Sequence, residues 1–407
     1  MDIFEDDLYT VTVVGDVRDP YPDYARMRAE SPVFLQQQGE VPIYQVFRYH
    51  DIEAVLRDGE TFSSRLFGPV MGVVMGPSIL QMDSSEHRSH RGVIGGAFRR
   101  QALTDWENSF IAPTVNSLID RFAARGEAEL VRELTFHYPI QVIAKMLGIP
   151  VEDYKLFSKL SIELISISVD FERGMKASQA LRDYFSTIVA ARRVEPRDDL
   201  ISTLVQAQLE MSVPRRGPVP EQVKYQRPLS DEEIYGFLRL LLIAGAETSQ
   251  RLLGTLLYGL LANPDQFEAV RADRSLLPDA IEEALRWEAP VQFTSRENVR
   301  DVTIGGVDIP AESHISVVIG SGNHDEAVFA EPERFDIFRE CVPHLAFGEG
   351  PHRCLGEHLA RLEIIVAMNA LFDRLPDIRL EPGDKDPHVH GWAFRSPNCV
   401  PVAFTPA

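Results

Sequence analysis

Residues 230–261 constrain this 407-residue chain more than any other segment. Ser230-Asp-Glu-Glu233 has the form of a capping box, in which a serine hydroxyl and a glutamate three residues on satisfy each other's backbone N–H groups. Asn263-Pro264 supplies the stop. At 1.5 Å per residue the helix between them would be on the order of 45 Å long. Its apolar residues lie on nearly all sides, so it must run through a core. Arg239, Glu247, Gln250 and Arg251 interrupt its apolar run, which argues for a buried helix over a membrane span.

Helical patterns dominate the rest of the chain, at 22–30, 51–58, 85–97, 105–124, 140–147, 151–169, 178–192 and 355–371. Strand patterns are fewer and shorter: 33–35 with 43–47, 302–309 with Gly305-Gly306 as its turn, and 314–319. The expectation is a mainly α, helix-rich α+β fold, in a single domain spanning 1–407. Residues 212–228 hold four prolines and several charges, and are expected to form an irregular surface connection. Residues 66–80 are apolar but broken by glycine and proline. They suit either a buried irregular strand or a mobile loop over an apolar cavity.

With 44% hydrophobic residues the chain can bury a substantial core. Three cysteines, Cys341, Cys354 and Cys399, are too few for a disulfide framework, so a cytoplasmic location is expected. Met1-Asp-Ile-Phe-Glu-Asp-Asp has neither a basic nor an apolar leader region, and no membrane anchor is expected. A formal net charge of −20 disfavours nucleic acid as a partner.

Chemistry concentrates in two places. Phe347-Gly-Glu-Gly-Pro-His-Arg-Cys354-Leu-Gly356 holds one cysteine in a tight loop that runs into a helix. Backbone N–H groups left open by Gly348, Gly350 and Gly356, with the positive end of the helix, favour a sulfur anion there. In the middle of the long helix stands Ala244-Gly245-Ala246-Glu247-Thr248-Ser249. A central glycine costs a helix about 1 kcal/mol, and a glutamate in apolar surroundings costs more unless paired. Either that cost serves a function, or Thr248 simply bonds a carbonyl one turn back while Glu247 pairs with an arginine.

Position for position, the cysteine loop resembles the haem-binding loop of the cytochrome P-450 superfamily, and the other motifs follow in that superfamily's order from about residue 20 to 402. The resemblance implies a triangular fold with small β-sheets and a long helix over the haem. It makes Cys354 the ligand of iron in haem b (iron protoporphyrin IX), flanked by Phe347, Gly348 and Gly356. Ala244 and Gly245 would face the haem from the other side, where the helix bulges. Glu247 and Thr248 would be the catalytic acid–alcohol pair that delivers protons. His87, Arg91, Arg296 and His352 would hold the haem propionates, which need cationic or hydrogen-bonding partners in an apolar pocket. His90 falls off the pattern. Glu283 and Arg286, completed by Arg334, resemble a structural ion-pair network.

The activity implied is a haem-thiolate monooxygenase acting on a hydrophobic small molecule such as a terpenoid, steroid or fatty acid. Phe67, Val70, Val73, Leu240, Ile243, Val291, Phe293 and Phe394 are candidate lining residues, and core packing explains any of them equally. No flavin or iron–sulfur motif is present, so electrons are expected from a ferredoxin and its reductase. Arg88, Arg91, Arg99, Arg100, Arg353 and Arg361 offer such a partner a basic patch, or are only a solvated face. A monomer is expected. The rival readings are a non-catalytic haem or ligand sensor, and a peroxide-driven peroxygenase. The acid–alcohol pair weighs against the sensor, and the lack of an arginine–proline arrangement in its place weighs against the peroxygenase.

Overall fold

The long helix begins where its capping box sets it: Ser230 Oγ accepts from Glu233 N at 3.3 Å, and a Glu233 carboxylate oxygen accepts from Ser230 N at 2.8 Å. A computed structural model describes residues 16–38, 41–98, 100–165, 167, 170–214, 222–340 and 342–406. In it the helix runs as Asp231–Leu241, a π-helical stretch Leu242–Glu247, and Thr248–Ala262. From Ser249 to Leu261 every residue except Tyr258 is buried, so this part of the helix is wrapped on all faces. Helices His137–Met146, Leu277–Trp287 and Glu357–Arg374 pack around it. The fold is helix-rich with small sheets.

Beside this helical body lies a five-stranded sheet in the order Val33–Gln38, Val41–Val46, His314–Val317, Thr294–Asn298, Phe62–Ser63. All neighbours are antiparallel except His314–Val317 on Val41–Val46. Thr294–Asn298 carries no strand signal of its own and is specified by its neighbours. The expected hairpin forms as Val302–Ile304 against Val307–Ile309, with Gly305 and Gly306 at φ +55° and +81°, as a type I′ turn requires.

Four expectations need correction. Residues 212–228 are not an irregular connection, because Gln208–Pro214 pairs antiparallel with Gln222–Pro228. Pro214 and Pro228 sit at opposite ends of that ladder, where a missing N–H costs least, and 215–221 lie outside the described residues. Residues 66–80 fold as short turns of helix, Arg65–Phe67, Gly68–Gly72, Val73–Met75 and Ile79–Gln81. Gly76, at φ +79°, breaks them, and Gly236 of the long helix lets them pack against it, since a Cβ on Gly236 would stand 2.0 Å from Pro77 O. The 178–192 helix is longer, Phe171–Val194, with the Asp170 side chain as its cap.

The fourth concerns the ion-pair network. Glu283 and Arg286 are buried and bonded at 2.7 Å, as their spacing allows. The third member is Arg339, 3.3 Å from Glu283, and not Arg334. Arg334 is 60% exposed, and only its backbone carbonyl joins the network, accepting from Arg286.

Candidate active site

The cysteine loop is shaped by glycines that no other residue replaces. Gly348 and Gly350 hold φ of +67° and +68°, and a Cβ on Gly350 would stand 2.5 Å from Leu56 O. The loop closes with Cys354 N donating to Phe347 O at 2.8 Å, and Gly356 begins the helix Glu357–Arg374. Cys354 is exposed and lines a cavity. Burial pushes its thiol up, against the pull of a hydrogen bond from Gly356 N–H, and the Glu357 carboxylate adds to the rise. The loop amides therefore do not by themselves hold a thiolate. A coordinated metal ion would.

The cavity has a volume of about 340 Å³. Leu241, Ala244, Gly245, Thr248, Ser249 and Leu252 of the long helix form one wall, the spacing of a single helical face. Thr294 and Arg296, two apart on one strand and so on one face of the sheet, form another. Phe347, Gly348, His352, Cys354 and Gly356 come from the cysteine loop, and His87 and Arg91 from helix Ser84–Gly95, one turn apart.

Two of the arginines lining this cavity lack counter-charges. Arg296 is 5% exposed and Arg91 half-buried, and neither has a carboxylate within ion-pair distance among the described residues. Burial lowers Arg296 to about 10. The His87 and His352 rings lie 4.1 Å apart. Burial and neighbouring cations bring them down to about 4 and about 3, so both are neutral near pH 7. The buried Nε2 of His87 has no hydrogen-bond partner among the described residues. Beside Gly356 a Cβ would meet nothing within 4 Å. A thiol, two uncompensated guanidinium groups, an orphaned imidazole nitrogen and an open gap over a glycine fit an anionic, planar, iron-bearing group.

The expected catalytic pair does not converge on the cavity. Thr248 lines it, but its Oγ1 donates to Ala244 O, one turn back, at 2.6 Å. Glu247 is buried away from it and paired with Arg251 at 2.7 Å, within one turn. Burial pushes its carboxyl up, and Arg251 opposes the rise. Both residues stand at the end of the π-helical stretch, where the helix widens, as the resemblance implies. A Cβ on Gly245 would press on Ile143 Cδ1 at 3.0 Å.

Glu363 escapes sequence reasoning. It sits in helix Glu357–Arg374, lines the cavity, is buried and has one carboxyl oxygen without a partner among the described residues. Burial pushes it up to about 8, against a hydrogen bond with Ser249, so it is protonated near pH 7. A charged residue on a long helix gives no sequence signal of this. His90 ties helix Ser84–Gly95 to the long helix, its Nε2 lying 2.8 Å from Glu233.

Of the eight candidate lining residues, Leu240 and Val291 face the cavity. Val73 is 58% exposed, while Phe293 packs on Trp392 and Phe394 beneath the Arg251 guanidinium. Phe67 and Ile243 do not line the cavity, and the Val70 side chain lies outside the described residues. Ile79, Leu80, Phe98, Ile143 and Phe237 take their places.

The basic patch is largely spent internally. Arg353 pairs with Glu349 and Glu357, Arg361 pairs with Glu282 and Glu357, and Arg91 turns into the cavity. Arg88 is exposed, Arg99 lies outside the described residues and the Arg100 side chain is not described.

The family profile described as Cytochrome P450 matches residues 16–392. The chain belongs to the cytochrome P450 family. It is 35% identical to the steroid C26-monooxygenase of Mycobacterium tuberculosis (strain H37Rv) over 96% of this chain and 95% of that one. Among solved structures, CYP109E1 from Bacillus megaterium in complex with testosterone superposes with a TM-score of 0.82 at 32% identity, covering 95% of this chain and 99% of that one. P450BioI in complex with a hexadec-9Z-enoic acid-ligated acyl carrier protein gives 0.83 at 29%, covering 95% and 98%. The chain is thus a cytochrome P450 monooxygenase, of a family with a haem-thiolate cofactor. No helix among the described residues is long and apolar enough to cross a membrane.

Proposed function

We propose that residues 1–407 form one cytochrome P450 domain that inserts one atom of O2 into a C–H or C=C bond of a hydrophobic small molecule, a steroid in the first instance. One observation carries this reading: the Cys354 thiol and the Thr248 hydroxyl face a single, mostly apolar cavity that also holds two uncompensated arginines. Steroids come first because the Mycobacterium tuberculosis relative is a steroid C26-monooxygenase and CYP109E1 was solved with testosterone.

In this reading Cys354 ligates the iron of haem b. Arg91 and Arg296, assisted by His87 and His352, take its carboxylates, which supply the missing negative charge. Phe347, Gly348 and Gly356 flank the thiolate, and Ala244 and Gly245 offer a low surface on the other side. When bound, the haem supplies oxygen activation, to which a thiolate ligand donates electron density. Phe237, Leu241, Leu252 and Val291 exclude water and bind the substrate by apolar contact.

Thr248 and Glu247 handle protons. With its own proton given to Ala244 O, the Thr248 oxygen is free to accept a hydrogen bond from a water and hold it in the cavity. Glu247 can carry a proton inward only by leaving Arg251, so the ion pair acts as a gate. Electrons come from a ferredoxin and its reductase. The protein works as a cytoplasmic monomer.

The test is to titrate purified ferric protein with steroids, fatty acids and terpenoids while following the haem Soret band. A shift to high spin with steroids is expected. A shift with fatty acids or terpenoids alone would overturn the steroid assignment, and the lack of any Soret band would overturn the whole reading.

A further inference from the structure

Far along the sequence from the cysteine loop, Asp16, His388 and His390 bring one carboxylate and two imidazoles together, their ligand atoms all within 4.8 Å of one another. His388 and His390 are two apart at the edge of the small hairpin Val389–His390 with Ser396–Pro397, so both project from one face. Asp16 is brought to that face by three backbone contacts. Gly391 N donates to Val17 O at 3.0 Å, and the buried Arg395 guanidinium donates to Val17 O and Arg18 O at 2.8 Å each.

Protein satisfies the ring nitrogens only in part. His388 Nδ1 lies 2.6 Å from Asp386 O, a carbonyl, so Nδ1 must carry the proton. Its Nε2 lies 3.1 Å from Asp16 Oδ1, a hydrogen bond when that nitrogen carries a proton and a contact that a cation can replace when it does not. His390 is less well served: its Nδ1 is 3.7 Å from the same Asp16 oxygen, beyond hydrogen-bond reach of it, and its buried Nε2 has no partner among the described residues. Arg18 Nε donates to the other Asp16 oxygen at 3.1 Å, which fixes the carboxylate and leaves Oδ1 turned to the two rings. Ligands at about 2.0–2.1 Å from a tetrahedral ion stand about 3.3 Å apart, within the range these atoms span.

We propose that Asp16, His388 and His390 bind one divalent d-block cation of the zinc class, through Asp16 Oδ1, His388 Nε2 and His390 Nδ1, with water in the fourth position. Two imidazoles and one carboxylate suit such an ion and not calcium or magnesium, which take oxygen ligands. The carbonyl of Asp386 orients the His388 ring, and Arg18 orients Asp16, as outer partners do in metal sites. The ion clamps the segment at Asp16 to the C-terminal hairpin. That hairpin touches the cavity wall, because Phe394 bridges Val291 and Gln292 N donates to Ala393 O.

The experiment uses the haem-loaded protein, without a histidine tag and stripped by chelator, titrated with Zn2+ in a calorimeter. One site per chain is expected. Asp16→Ala and the double variant His388→Ala with His390→Ala should each weaken it by at least about ten-fold while keeping the Soret band. His50→Ala, at a 78% exposed side chain, should leave it unchanged. A thermal midpoint that rises with Zn2+ in the parent and not in the variants is a second readout. Absence of saturable binding, or binding that survives the double variant, would overturn the proposal and leave Asp16 and His388 as an ordinary ion pair.

Discussion

Glu247 and Arg251, one helical turn apart, form an ion pair of 2.7 Å in which the side chains are 4% and 0% exposed. Arg251 also bonds Ser396 Oγ at 3.1 Å and lies over the Phe394 ring, so it links the long helix to the C-terminal hairpin. Removing one partner of such a pair strands a buried charge. Arg251→Ala should therefore cost about 3–5 kcal/mol in urea unfolding, and a loss below about 1 kcal/mol would show that the pair is not closed in solution.

Thr248→Ala removes a hydroxyl on a residue that lines the cavity, and among the described residues that hydroxyl bonds to Ala244 O alone. Such a bond adds little to a helix, so stability should change by less than about 0.5 kcal/mol. Oxygen consumption should instead drain into peroxide, and Thr248→Ser should restore much of the coupling. An electrode trace with unchanged peroxide yield would remove Thr248 from the proton path.

Glu363 should make stability depend on pH. Its carboxyl is held at about 8 in the fold, against an ordinary value of 4.5. Between those values the folded state binds more protons than the unfolded, so stability falls as pH rises through that window. The loss should reach a few kcal/mol at completion, since each tenfold change in proton affinity is worth about 1.4 kcal/mol. Glu363→Gln should abolish this part of the dependence, read as the difference in urea midpoints between pH 5 and pH 8.5. Parallel pH profiles for the two proteins would contradict it.

Arg339 and Arg334 are told apart by stability. Arg339→Ala takes a partner from the buried Glu283 and should destabilise by about 1–3 kcal/mol. Arg334→Ala, at a 60% exposed side chain, should stay within about 0.5 kcal/mol. Equal effects in thermal unfolding would mean that Arg339 is not the third member of the network.

That pair shows where the sequence stops being legible. Glu283 and Arg286 are fixed by helix spacing, which is local, but the third partner depends on a turn in which Asp336 N also donates to Glu283. The same division holds elsewhere. The capping box, the glycines of the cysteine loop and the Gly305-Gly306 turn are local chemistry and were readable. The hairpin at 208–228 was hidden because its prolines stand at the ladder ends, where they are tolerated. The cavity wall was readable at Leu240 and Val291 only, since tertiary packing decides which apolar residues face inward. At Glu247 and Thr248 the chain offered both a functional and a purely structural pairing, and the bonds present are the structural ones, to Arg251 and Ala244. Thr248 alone faces the cavity.

The central claim is that Cys354 is the thiolate ligand of a haem. Its most direct test is the spectrum of the reduced, carbon monoxide-bound protein beside that of Cys354→His. Thiolate ligation should move the parent Soret band strongly to the red, and the histidine variant should lose that shift while keeping bound haem. Identical spectra for the two proteins would contradict the assignment.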